Sequence, residues 1–367
     1  CWLKHTLSEA EIENAWRELA AGANPHLSLT DLPDGAATAL TVADVAAETL
    51  NALRPPERIP AGWRIGSFSS LLHGVESETA ASDHDGRSLP SPIPGGSGTS
   101  ATLLLAEIAP DDILRFPRGP AAGDCVHALF ERIDFTDPGG WPDAIAQALA
   151  TCPQSLPGLS SAESATRLAR MLRRLLDDVL ATRLPGDVVL AAIPRQQRLV
   201  ELGINLPAAG ITPQVLNDWL HRHGYALPRL GFQPLTAYLK GFIALTFCPA
   251  DRYYFLDWKS NHLGYAPADY QQQPLATAMA EHGYHLQHLL YCVALHRYLG
   301  QRLADYDYGR HFGGVHYLFV RGVRPTWQEQ TVEGESIACG VYHHRPARTT
   351  VDSLNALLAG ASLASIP

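Results

Sequence analysis

The chain has no Cys-x-x-Cys pair; its six cysteines, Cys1, Cys125, Cys152, Cys248, Cys292 and Cys339, are scattered. That spacing argues against a zinc ribbon, an iron–sulfur centre or a disulfide framework, and predicts a reducing, cytoplasmic setting. No apolar run reaches membrane-spanning length and no signal-peptide pattern opens the sequence, so no membrane partner is expected. An initiator methionine is missing, which leads us to expect a piece of a longer protein. The glycine-rich run Pro94-Gly-Gly-Ser-Gly-Thr-Ser100 lacks the Gly-Lys-Ser/Thr ending of a phosphate loop. No Gly-x-Ser-x-Gly elbow marks a serine hydrolase. Basic residues are also in short supply. A net charge of −9 argues against a protein that coats DNA without regard to sequence. It leaves room for a nuclease, whose metal-binding acids must be concentrated somewhere and whose basic groove can be local.

The remainder is ordinary globular material. With 367 residues, 46% hydrophobic and 18% charged, the chain can build one large domain with extensions or two modest ones.

Residues 240–248 and 252–261 are apolar, β-branched and aromatic runs flanking Pro249-Ala250-Asp251, a pattern that predicts a β-hairpin. The second run carries Asp257-Trp258-Lys259. A two-residue period puts Asp257 and Lys259 on one face of the strand. An acid able to hold a divalent cation then stands beside an ammonium able to steady a water or a phosphate oxygen. Surface ion pairs also produce Asp-x-Lys, so the motif draws its weight from its surroundings.

Upstream, Ser8-x-x-Glu11 is a capping box before Ile12, Trp16 and Leu19 at helical spacing, predicting an exposed helix. Residues 63–72 read as a short amphipathic lead-in, and residues 75–105 as a flexible linker. Gly119, Gly123 and His127 recur every four residues, which aligns them on one helical face and predicts close backbone approach there. Taken alone, that pattern favours a helix packed tightly on a sheet with the histidine merely hydrogen-bonded in the core over a ligand. Residues 167–180 keep a helical apolar period, with Arg167, Arg170, Arg173 and Arg174 read as a solvated face. Residues 197–206 alternate like a strand, with Glu201 midway, either facing solvent or supporting the site from behind. Helices are expected over 267–280, 282–299 and 351–359, and a buried strand over 313–320. On the 282–299 helix Gln287 and Tyr291 share a face. His282, His285 and His288 also fall at three-residue spacing, but no carboxylate or cysteine completes a ligand set.

Taken together, these blocks resemble the C-terminal nuclease domain of the RecB family of helicase–nucleases. The resemblance is carried by Phe116-Pro-Arg-Gly with His127, Gly241-Phe-Ile, Tyr253-Tyr-Phe-Leu-Asp-Trp-Lys-Ser-Asn-His-Leu-Gly264 and Leu286-Gln-x-x-Leu-Tyr291. Ala294-Leu-His-Arg-Tyr-Leu299, Asp305-Tyr-Asp-Tyr308 and His311-Phe-Gly-Gly314 continue it in order. The resemblance implies an α/β fold, a mixed central sheet flanked by helices, with a PD-(D/E)xK nuclease core and a magnesium cofactor. It divides the chain into a connector from a helicase region (1–74), a flexible linker (75–110) and a nuclease domain (111–367). It implies metal ligation by His127, Asp257 and the Trp258 carbonyl, and makes Lys259 the catalytic lysine. Gln287 and Tyr291 are implied to line the DNA path, with Glu201 as an auxiliary residue. The implied substrate is DNA, mainly single-stranded; the implied partners are RecC, RecD and RecA. One position departs. Where the family reads Gly-Phe-Ile-Asp-Leu, this chain has Gly241-Phe-Ile-Ala-Leu245, so Ala244 replaces an expected metal carboxylate. An introduced inactivating substitution and a naturally degenerate site both fit, and either way little cleavage is expected. The competing class is a non-catalytic module that docks on RecC and loads RecA.

Overall fold

The structure, a computed structural model, describes residues 8–22, 28–30, 64–68, 71, 107–331 and 334–364. The chain divides into two compact units, Cys1–Ile59 and Pro60–Pro367.

In the first unit, helix α1 (Glu9–Gly22) begins where Glu11 accepts from the Ser8 amide at 2.7 Å, the glutamate half of the expected capping box. Ile12, Trp16 and Leu19 are exposed, as expected.

The second unit starts with strand β1 (Arg64–Ser67), which brings part of the expected connector into the sheet. Residues 75–106 of the expected linker lie outside the described residues. Three helices follow: α2 (Pro120–Arg132), α3 (Trp141–Thr151) and α4 (Ser161–Ala181). α4 starts at a full Ser160/Glu163 capping box, and its Leu168, Met171, Leu172, Leu175, Leu176 and Val179 stripe is buried as the period demanded. A two-stranded ribbon, β2 (Arg183–Leu184) and β3 (Val188–Val189), leads to the long strand β4 (Arg198–Ile211) and helix α5 (Pro213–Arg222). Strands β5 (Leu235–Phe247) and β6 (Tyr253–Lys259) form the hairpin, turning through Ala250 and Asp251 at φ +49° and +60°. Next come α6 (Gln272–Glu281), α7 (Tyr284–Arg302), α8 (Tyr308–His311) and β7 (Phe312–Phe319). A second ribbon, β8 (Gln328–Gln330) and β9 (Ser336–Ala338), precedes β10 (Val341–His344) and α9 (Arg348–Leu358).

The six-stranded sheet runs β1-β5-β6-β7-β10, with β4 on the far side of β5. β5 shares one edge between parallel β1 at residues 237–240 and antiparallel β6 at 245–247. β6 and β7 are parallel, β7 and β10 antiparallel, so the sheet is mixed. Helices α2, α3 and α4 share one core with Tyr254, Leu256 and Trp258. Helices α5, α6, α7 and α9 share the other with Phe255, Val315, Tyr317 and Phe319. Both central strands are therefore buried on two faces and read as near-continuous apolar runs. This mixed sheet between helical layers is the α/β layout expected of a PD-(D/E)xK core. No helix among the described residues is long and apolar enough to cross a membrane.

Candidate metal and nuclease site

Alternation along β6 sends Tyr254, Leu256 and Trp258 towards α2–α4, and Phe255, Asp257 and Lys259 towards α7. Trp258 stacks on Phe130 of α2, ring centroids 3.9 Å apart and nearly parallel. That contact seats α2 against the end of β6, with His127 buried one turn before Phe130 on the same helix. Gly119 does not join this helical face. It precedes α2 at φ +100° with nothing near its missing Cβ, so it serves the turn into the helix and not a close approach.

Lys259 Nζ lies 3.4 Å from Asp257 Oδ2, and the two residues are only 1% and 5% exposed. The ammonium also sits over the ring of Tyr284, 4.0 Å from its centroid, and 5.5 Å from that of Tyr317. A buried cation is costly unless paired, and here a carboxylate and two π faces share that task. The Tyr284 hydroxyl donates to Asn261 Oδ1 at 3.3 Å, and Asn261 Nδ2 meets His282 Nε2 at 3.3 Å. Tyr317 donates to Gln287 Oε1 at 2.9 Å. Tyr291, one turn on from Gln287, packs edge-on against Phe255 and lies over Gly241, where a Cβ would meet its ring and hydroxyl at 3.1 Å. Gln287 and Tyr291 are each 2% exposed, so both brace the strands beneath Asp257 and Lys259.

The β5–β6 ladder pairs Leu245 with Leu256 and ends there, leaving Ala244 and Asp257 as the next residue on each strand. β5 is irregular at this point. Ile243 belongs to the core with α7, whereas Leu245 and Phe247 belong to the core with α2, breaking the two-residue period at Ala244. The break faces Glu201 on β4, the one skipped position between Arg198 and Ala208, which takes φ +52°. Position 244 is thus the corner where β5 changes faces and parts from β6.

The residues present do not fit a magnesium ion. Magnesium takes hard oxygen donors in a near-octahedral set. Asp257 offers one carboxylate already turned to Lys259, His127 offers nitrogen, and Ala244 offers nothing. Among the described residues no three His, Cys, Asp or Glu side chains are grouped to hold a metal ion, and Glu201 does not complete such a set. Of the three spaced histidines, His282 meets Asn261, and the two on α7 go elsewhere. His285 and His288 pack with His344, Tyr225 and Tyr342, His344 Nδ1 standing 3.1 Å from His288 Nε2. Burial, and then His344, push His285 down to about 4, and burial holds His288 well below the ordinary imidazole range.

One residue that fixes the site's frame carries no sequence signal. The Arg321 guanidinium, buried just beyond β7, donates to the carbonyls of Ser260, Ile113, Phe116 and Pro117 at 2.5–3.0 Å. It ties the residue after Lys259 to the segment leading into α2. Nearby, Arg324 forms a buried two-bond pair with Asp112 at 2.9 and 3.2 Å. Burial opposes the Asp112 charge, but the Arg324 and Leu114 hydrogen bonds keep its pKa below the usual carboxylate value.

Over 331 residues the chain is 34% identical to RecBCD enzyme subunit RecB of Escherichia coli (strain K12), covering 88% of this chain and 25% of that protein. The chain belongs to the RecB family. It is also 34% identical over 296 residues to RecB of Mycobacterium tuberculosis (strain H37Rv), covering 72% of this chain and 26% of that protein. RecB of Haemophilus influenzae is 28% identical over 303 residues, covering 80% of this chain and 23% of that protein. The chain spans about a quarter of the length of these RecB relatives. No protein-family profile matches it.

Proposed function

We propose that this chain is the nuclease segment of a RecB-type DNA repair and recombination enzyme, built to hydrolyse phosphodiesters of single-stranded DNA and arrested at Ala244. The buried Asp257–Lys259 pair at the parting of β5 and β6 carries the reading. Lys259 is a fixed positive charge in a site sheltered from water, where charge developing on a phosphate is stabilised far better than in bulk solvent. Asp257 holds that ammonium in place, while Tyr284, Tyr317 and Gln287 hold its surroundings. A carboxylate at 244 would add the hard oxygen that magnesium lacks here. His127 and the Trp258 carbonyl are the remaining candidate ligands, and Gln287, Tyr291 and Glu201 support them. The test is Ala244→Asp with magnesium, assayed on a labelled single strand. We expect metal-dependent degradation from the variant and none from the parent; inert Ala244→Asp protein with retained fold would refute the ligand assignment.

A second reading, a docking module for RecC and RecD that also loads RecA, is favoured by one observation. Ile65, Tyr238 and Phe242 are exposed apolar side chains on one face of β1 and β5. Such a patch suits a protein partner. This reading predicts normal RecC binding by the parent and no cleavage even after Ala244→Asp.

A further inference from the structure

A cavity of about 380 Å³ lies between the segment leading into α2, the loop before α4, α4 itself and the loop that leaves β6. Its size falls within the range of small-molecule sites. The floor is apolar, made by buried Leu114, Phe116 and Met171. The rim is cationic and aromatic: Arg118, Arg167 and Tyr265.

Neither Arg118 nor Arg167 is ion-paired among the described residues, although Glu163 stands close enough to Arg167 for that charge to lower its pKa. Arg118 donates to His262 Nε2 at 3.0 Å and to the Tyr265 hydroxyl at 2.5 Å, and its guanidinium lies over the Tyr265 ring. Burial first, then Arg118 and Arg321, push the His262 pKa down to about 3, so the imidazole is a neutral acceptor. Arg321, just behind Phe116 and Pro117, spends its donors on carbonyls. The acid one turn before Arg167, Glu163, is engaged by Ser160 in the α4 capping box. Arg118 and Arg167 therefore stand on one rim with no carboxylate bonded to either among the described residues, in a chain of net charge −9. Arginines beside a tyrosine ring fit a ligand with an anionic group and a flat face.

We propose that this cavity holds one nucleotide unit of a single DNA strand, phosphodiester against Arg118 and Arg167, base against Tyr265. DNA as the ligand rests on the function proposed above. Tyr265 stands six residues after Lys259, so at most about 20 Å of chain separates them. A strand seated here would reach the Asp257–Lys259 corner within a few nucleotides.

The test is fluorescence anisotropy with a labelled oligothymidylate and divalent metal chelated, so that binding is read without cleavage. Both arginines are exposed, and the Arg118→Gln/Arg167→Gln double variant should keep the parent's melting temperature. It should bind about a hundredfold more weakly at low salt, roughly tenfold per charge-assisted contact. The slope of log affinity against log salt should flatten by about 1.4, from two phosphate contacts on a single strand. Tyr265→Ala should lose about tenfold with the slope kept, as for a lost stacking contact. Arg302→Gln, at the far end of α7 from Tyr284, should match the parent. A parent that does not bind, a double variant that binds like the parent, or an equal loss in Arg302→Gln would each overturn the pocket. If Ala244→Asp cuts DNA while the double variant binds normally, the pocket fails and the nuclease reading stands. Arginine-dependent binding alongside an inert, folded Ala244→Asp protein would instead keep the pocket and sink the nuclease reading.

Discussion

Arg321→Ala should strongly destabilise the protein, although no chemistry is assigned to the side chain. Its guanidinium is 2% exposed and bonds four carbonyls on two segments far apart in sequence. Burial lowers its pKa to about 10, so it remains charged at neutral pH. Net worth per hydrogen bond is about 1 kcal/mol for neutral partners and somewhat more for a charged donor. Four such bonds give about 4 kcal/mol as a working figure, and carbonyls left dry add to it. Against a typical total of about 5–15 kcal/mol, that is a large fraction. Arg321→Lys keeps the charge but replaces a planar fork with a point charge, and should recover less than half. Urea unfolding followed by far-ultraviolet circular dichroism gives both numbers. A loss below about 1 kcal/mol for Arg321→Ala would show that water replaces the guanidinium at no cost, and would refute the reasoning.

Other outcomes follow from the same geometry. In the Ala244→Asp background, Lys259→Gln should lower the cleavage rate about 10²–10³-fold with little change in strand affinity, measured by single-turnover assay. Gly241→Ala should cost about 1–3 kcal/mol by urea titration, because the new methyl forces the buried Tyr291 ring away from β5. Stability should also fall on acidification. His285, pushed down to about 4 in the fold, is neutral in both states above its unfolded pKa near 6.5. As pH drops from about 6.5 to about 4, the unfolded state takes the proton first, and on the order of 3 kcal/mol drains away. His344 and His288 act in the same direction. His285→Phe should flatten the slope of melting temperature over that window, and an unchanged slope would remove the histidine cluster from the account.

The elements legible in the sequence were those whose signals are local. The hairpin announced itself by two apolar runs around a turn, α4 by its capping box and period, and α7 and β7 by their apolar content. α5 went unread although Thr212 caps it and Pro213 stands in its first turn, because its apolar stripe is short. β1 and β10 gain their identity from pairing with β5 and β7, which no local window contains. The site divides the same way. Period two alone put Asp257 beside Lys259, whereas the burial of Gln287 and Tyr291 depends on how α7 lies on the sheet. Arg321 was invisible because its partners are backbone carbonyls, and any sequence offers those.

The left-handed residue at Glu201 matters beyond the corner it faces. Among the described residues β4 pairs with β5 alone, so fourteen residues of strand turn an outer row of amides and carbonyls away from the sheet. A flat edge of that length invites a stranger's strand to zip on, the first step of aggregation. The left-handed turn at Glu201 interrupts that edge, so the strand offers no flat run along its whole length.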